Sequence, residues 1–153
     1  MERTRDHVID IIRDLPFFDA FETDEIKKFA RNLSLQQVKK GEVLFNEGDV
    51  GDYLFFIVEG IIEIVLSTVD KQHKIIATYS SGTSVGEMSL IDEFERSATV
   101  QASTDCEILI LTRSKFDWIT SNQPEIGVKM LRGLAKIISE RLRGTQGRFK
   151  DMV

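Results

Sequence analysis

Gly86-Glu87-Met88-Ser89-Leu90-Ile91-Asp92-Glu93-Phe94-Glu95-Arg96-Ser97-Ala98-Thr99-Val100 carries more chemistry than any other stretch of this chain. Gly86 lets a ligand approach the backbone closely, since no Cβ stands in the way. Met88 to Ile91 can form one helical turn, and its exposed N–H groups can receive an anion. Arg96 follows ten positions after Gly86, and its planar fork suits a phosphate. The next residues, Ser97-Ala98-Thr99-Val100, read as the start of a buried strand. A cation at the mouth of an apolar region needs a partner, because burying it alone is costly. Two partners are open to it: Glu87, in an internal ion pair, or a bound anion.

On either side of this stretch, residues 34–113 alternate with a period of two and are punctuated by glycine. Val43–Phe45, Tyr53–Val58, Ile61–Leu66, Lys74–Tyr79, Ser97–Ala102 and Glu107–Leu111 are short β-rich runs, with Gly41, Gly48, Gly51, Gly60, Gly82 and Gly86 between or beside them. Strands spaced this tightly leave no room for βαβ units and predict a sandwich or barrel. Residues 1–33 read as N-terminal helices: Val8, Ile9, Ile11, Ile12 and Leu15 form an apolar stripe that Pro16 ends. Thr23 is the expected N-cap of a second helix carrying Ile26, Phe29, Ala30 and Leu33. Residues 114–143 return to helix, with starts at Ser114 and Pro124. Met130, Leu131, Leu134, Ile137, Ile138 and Leu142 form one apolar stripe. Gly144 is the expected C-cap, and 144–153 a weakly ordered tail. The whole, residues 1–153, is one domain, 34–113 forming a β-roll.

Composition narrows the function. At 153 residues and 17.5 kDa the chain can bury a core without metals or disulfides. It has 20 Lys+Arg against 25 Asp+Glu, a net charge of -5, which disfavours a direct nucleic-acid binder. Lys129, Arg132, Lys136, Arg141, Arg143, Arg148 and Lys150 make the C-terminal part basic, which reads as a solvated face. The single cysteine, Cys106, excludes an intramolecular disulfide and a cysteine zinc cluster. Two histidines, His7 and His73, cannot build a histidine-rich metal site, so no metal is expected. Gly82-Thr83-Ser84-Val85-Gly86 matches a hydrolase nucleophile elbow, but both histidines precede Ser84 and the flanks read as strand and turn; no enzyme is expected. With neither a membrane-length apolar run nor a secretory leader at Met1-Glu2-Arg3-Thr4, the expectation is a cytoplasmic protein.

In order and spacing these residues resemble the cyclic nucleotide-binding domain shared by the bacterial catabolite activator protein and the regulatory subunits of cyclic-AMP-dependent protein kinase. The resemblance runs from about Leu15 to Leu142. Leu15-Pro16-Phe17-Phe18 opens it; Gly41-Glu42, Gly48-Asp49, Gly51-Asp52 and Gly60 follow the family's turn glycines; Gly82 and Gly86-Glu87 introduce a phosphate-binding cassette, residues 86–98; and Arg96 to Val100 closes it. Cys106 falls where many relatives carry cysteine.

The resemblance implies a mainly β fold with flanking helices (α+β), an antiparallel β-roll or double-stranded jelly roll. It implies binding by Val85, Gly86, Glu87, Met88, Ser89, Arg96, Ser97, Ala98 and, from the last helix, Thr145 near the base. Glu87 would accept the ribose 2′-hydroxyl and Arg96 would pair with the cyclic phosphate. Backbone N–H groups near Met88, Ser89 and Ser97 would complete the cradle, with the Ser97 hydroxyl offered to phosphate or base. Three positions depart from the family pattern: Val85 replaces an aromatic, Glu95 a proline and Ser89 an alanine, while Asp92, Glu93 and Glu95 crowd the arginine with carboxylates.

The implied function is reversible binding of a cyclic purine nucleotide, cAMP in preference to cGMP, as a regulatory input that shifts the C-terminal helix. The alternative is a fold that binds no nucleotide and serves as an interaction or dimerisation module, with Glu87 and Arg96 simply paired. That helix can lid the base or pair with its twin in a homodimer. A helix-turn-helix would need about 50 further residues, and fewer than a dozen follow Leu142. The expected output is therefore a separate effector protein, a change of oligomer, or the rest of a longer protein.

Overall fold

The computed structural model describes the backbone of residues 2–151 and the side chains of residues 6–145. Eight strands form two antiparallel four-stranded sheets: β1 (Ser34–Val38), β8 (Cys106–Thr112), β3 (Tyr53–Glu59) and β6 (Ser84–Val85) in that order, and β2 (Val43–Phe45), β7 (Thr99–Ala102), β4 (Ile62–Ser67) and β5 (His73–Tyr79) in the other. Together they make the expected β-roll. Among the described residues five helices flank it: α1 (Glu2–Arg13), α2 (Thr23–Ala30), α3 (Glu87–Asp92), α4 (Arg113–Asn122) and α5 (Pro124–Asp151), with a 3-10 turn at Pro16–Phe18.

The alternation of β3 decides where the core lies. Phe55 and Ile57 point into the roll with Val38, Phe45, Ile62, Val85, Val100 and Ile108. Leu54 and Phe56 point out of it, against Phe17, Phe18, Phe29, Phe116, Ile126, Met130 and Leu134 of the helical layer. A strand buried on both faces reads as an unbroken apolar run, as Tyr53-Leu54-Phe55-Phe56-Ile57-Val58 does. The phenylalanine cluster seats α5. A Cβ on Gly133 would lie 2.5 Å from the Phe17 ring, so only glycine lets that helix come so close.

Several boundaries differ from the expectation. The N-cap of α2 is Glu22, not Thr23: Glu22 is extended, and its N–H donates to the Glu25 carboxylate at 2.9 Å. Helix α4 starts at Arg113, because the Thr112 hydroxyl accepts the Lys115 N–H at 3.3 Å and caps it. Gly144 is not a C-cap, since α5 runs through it to Asp151; of the expected tail, 144–151 is helix and 152–153 lie outside the described residues. Strands β1 and β6 were not expected. β1 carries adjacent exposed glutamines, and β6 is two residues long. β7 begins at Thr99, two residues later than expected, because Ser97 and Ala98 still belong to the cassette. Among the described residues, no helix is long and apolar enough to cross a membrane. No group of three or more His, Cys, Asp or Glu among them is placed to hold a metal ion.

Candidate functional site

Between the inner face of the second sheet, the cassette and the C-terminal half of α5 lies a cavity of about 360 Å³. Val85, Gly86, Glu87, Met88, Ser89, Arg96, Ser97, Ala98 and Thr145 all line it, so the fold brings the nine residues singled out in the sequence to one place. Phe45, Ile64, Tyr79 and Val100 contribute from the strands, and Ile138, Arg141 and Leu142 from α5.

The cassette takes its shape from Gly86, which caps α3 in the left-handed region at φ 88. A Cβ there would stand 2.6 Å from Arg96 Nη1. Glycine is therefore required twice over, for backbone conformation and for the arginine's approach. Arg96 is 3% exposed. Its Nη1 donates to the Gly86 carbonyl at 3.0 Å and its Nη2 to the Tyr53 carbonyl at 2.5 Å. The guanidinium lies 3.8 Å from the Phe45 ring centroid and 5.0 Å from that of Tyr53. Its Nε is buried and has no hydrogen-bond partner. None of the ion pairs among the described residues includes Arg96.

Burial pushes the Arg96 pKa below its ordinary value, and the same burial pushes the Tyr53 phenol up. An arginine nonetheless keeps its charge in a protein. The cavity wall therefore carries a desolvated cation held by carbonyl dipoles and aromatic faces; Asp52 and Asp49 act on it only from a distance, and no carboxylate is in ion-pair contact with it.

Glu87 does not supply that carboxylate. The Glu87–Arg96 pair that the sequence left open is not formed. Glu87, 2% exposed, is bonded instead by Arg141 Nη1 of α5. Arg141 Nη2 also donates to the Thr83 hydroxyl at 2.9 Å and to the Ser84 carbonyl, and its guanidinium lies 4.3 Å from the Tyr79 ring centroid. The Ser84 hydroxyl, fully buried, donates to the other Glu87 oxygen at 3.4 Å. Asp92, Glu93 and Glu95 are exposed and leave Arg96 alone; Glu93 faces Arg113 instead, at 3.7 Å.

Arg141 is thus a site residue that the sequence reading placed on a solvated basic face. Lys129 also leaves that face, to bond Glu25 at 2.5 Å. Arg148 and Lys150 lie outside the described side chains. A signal for Arg141 did exist: it sits one helical turn before Thr145, so a helix that brings Thr145 to a base brings Arg141 to the same cavity. Thr145 donates its hydroxyl to the Arg141 carbonyl at 3.1 Å.

A wider hollow of about 460 Å³ lies where α2 meets the α4–α5 elbow, with Glu22, Asp24, Glu25 and Glu125 facing Lys28 and Lys129. Lys129 holds the Glu25 carboxyl below its usual pKa, so its buried carboxylate is already satisfied from within the chain. The cation in the cavity at Arg96, by contrast, has no ion-pair partner among the described residues.

The cyclic nucleotide-binding domain family matches residues 35–123. Lysophospholipase NTE1 of Chaetomium globosum is 32% identical over 107 residues, which is 70% of this chain but 7% of that protein. A cyclic nucleotide-binding domain crystallised from Methylobacillus flagellatus superposes with a TM-score of 0.86 at 26% identity, covering 99% of this chain and 85% of that one. The catabolite activator protein of Thermus thermophilus gives 0.76 at 26% identity, over 90% of this chain and 62% of its own.

Proposed function

This chain belongs to the cyclic nucleotide-binding domain family, and from that premise we propose that it reversibly binds a cyclic purine nucleotide, cAMP in preference to cGMP, as a regulatory input. The observation that carries this reading is Arg96: a buried cation on a cavity wall, with no carboxylate partner and an unused Nε–H. A cyclic phosphate is a monoanion that matches one guanidinium, and a charge-assisted contact of this kind contributes about 1.5–3 kcal/mol. A nucleotide-free module would more naturally close the charge on Glu87, which is bonded to Arg141 instead.

The remaining residues take roles around that phosphate. Backbone N–H groups of Met88, Ser89 and Ser97 complete its cradle. Glu87 receives the ribose 2′-hydroxyl; a carboxylate has about four lone-pair sites, so it can do so while still bonded to Arg141 and Ser84. The purine lies against Ile64, Val100 and Leu142, with Thr145 at its edge. Because the Thr145 hydroxyl already donates to Arg141, it faces the base as an acceptor. That suits the 6-amino donor of adenine better than the 6-oxo acceptor of guanine. The likeness of Glu95-Arg96-Ser97-Ala98 to the catabolite activator's segment supports the same choice.

Ligand and helix are coupled because Glu87 of α3 and Arg141 of α5 bond each other at the cavity wall from different elements. Nucleotide that draws Glu87 toward the ribose favours one seating of α5 over another. The shift can be no larger than the ligand's differential affinity for the two seatings. The output passes to a second copy or to an effector protein. On α5, Val128, Leu131 and Ala135 recur at spacings of three and four, as on the seam of a two-stranded coiled coil, while Ile138 and Leu142, which continue the spacing, line the cavity. Val128 and Leu131 are 51% and 42% exposed, so the seam is open to a twin helix.

Calorimetric titration with cAMP and with cGMP tests the proposal. Saturable heat at one nucleotide per chain, tighter for cAMP, is expected. The absence of heat at millimolar concentrations of either nucleotide overturns it in favour of the module without ligand.

A further inference from the structure

Arg113 is the first residue of α4 and does not line the cavity; it stands behind the cassette. Its Nη2 donates to two carbonyls at once, Gly51 at 2.5 Å and Ser89 at 2.6 Å. Its Nη1 lies 3.7 Å from the Glu93 carboxylate, and its own N–H donates to the Asp52 carbonyl at 2.7 Å. One guanidinium therefore joins the 46–52 turn, α3 and the start of α4.

The turn and α3 already interlock, since a Cβ on Gly51 would stand 2.1 Å from Ser89 Cβ. The same turn reaches Arg96 from its other end: the Arg96 N–H donates to the Asp49 carbonyl at 2.8 Å, and the Gly48 N–H to the Arg96 carbonyl at 2.9 Å. The Ser89 carbonyl that Arg113 holds also accepts the Glu93 N–H at 3.1 Å, ending α3 on a non-glycine residue at φ 63. That conformation is uncommon for side chains such as glutamate and needs outside support.

We propose that Arg113 is a positioning residue for the phosphate cradle: it locks the 46–52 turn to α3 so that Arg96 and the 86–89 backbone keep their spacing before any anion arrives. The proposal rests on the nucleotide reading above. Its physical content is preorganisation, in which a cradle already ordered loses less entropy on binding than one that must order around its ligand. The planar guanidinium serves three groups at fixed angles, Nη2 meeting both carbonyls while Nη1 faces Glu93. A lysine ammonium has donors enough for the carbonyls but, as a compact point charge, lacks the second nitrogen that reaches Glu93.

The test compares wild type, Arg113→Lys and Arg113→Ala in the full chain by two measurements, cAMP titration and amide hydrogen exchange. Arg113→Ala is expected to weaken cAMP binding about tenfold. In the ligand-free protein, exchange is expected to rise together in 46–52 and 87–93, and to return toward the wild-type pattern at saturating cAMP. Arg113→Lys is expected to recover only part of the affinity. A lower melting temperature with unchanged affinity and unchanged exchange in the two segments overturns the proposal, for it makes Arg113 a merely structural contact. Should Arg113→Ala fail to fold, Arg113→Gln goes through the same measurements with the same two outcomes. If wild type binds no cAMP, the nucleotide reading fails on its own, and the ligand-free exchange still decides whether Arg113 holds the two segments as one.

Discussion

Replacing Arg96 with alanine separates what the guanidinium does for the fold from what it does for the ligand. In the empty protein the change removes two hydrogen bonds, to Gly86 and Tyr53, and the contact with the Phe45 ring. Each carbonyl left unsatisfied costs about 1–3 kcal/mol, and a cation–π contact contributes about 0.5–2 kcal/mol. Against this stands the release of a desolvated cation with no carboxylate in ion-pair contact, a term of opposite sign. The fold terms offset one another in part, so a modest loss of thermal stability is expected.

The ligand has no such offset. Without the charge-assisted contact, binding falls by about 1.5–3 kcal/mol, roughly 10- to 150-fold. The two terms are read by scanning calorimetry without nucleotide and by titration with cAMP. Arg96→Lys adds a third reading: it keeps the charge and loses the fork, and its affinity is expected to fall between the other two. A folded Arg96→Ala protein that binds cAMP as wild type does would refute the placement of the phosphate.

Two further outcomes follow from α5. Arg141→Ala leaves Glu87 buried without its ion partner; a loss of about 1–3 kcal/mol, or very roughly 2–12 °C in melting temperature, is expected, and an unchanged melting temperature contradicts the pair. Leu131→Glu places a charge on the open seam of α5 while touching little within the monomer, where Leu131 is 42% exposed. Sedimentation is expected to show a wild-type dimer and a monomeric variant, and a monomeric wild type rules out the seam.

Much of this arrangement is legible in the chain itself, for a reason that lies in its periods. The roll shows as alternation, the flanks as stripes at helical spacing, and the cassette as a glycine, a carboxylate and an arginine at fixed local distances. All of these are near-neighbour properties. What could not be read is what depends on elements meeting across the fold. Arg141 and Arg113 are surface-type residues in sequence, one among several cations on a helix, the other at a strand end. Their roles exist only because α5 returns over the roll and α4 starts against the cassette. Lys129 was misread for the same reason, since Glu25 is distant in sequence.

Glycine behaved differently at different sites. Gly133 within α5 is explained by Phe17. Nothing within 4 Å explains Gly144, through which the helix runs on although glycine costs about 1 kcal/mol there. β1 was missed because Gln36 and Gln37 break its alternation, and it is held as a strand by register with β8 rather than by its own pattern.

The Nε–H of Arg96, buried and without an acceptor, can be watched directly as its own resonance in a proton–nitrogen spectrum while cAMP is added. A shift that saturates with the nucleotide, as the hydrogen gains a phosphate oxygen, is the expected result. A resonance that stays in place while the nucleotide demonstrably binds would put the phosphate somewhere else and leave the buried cation without the purpose given to it here.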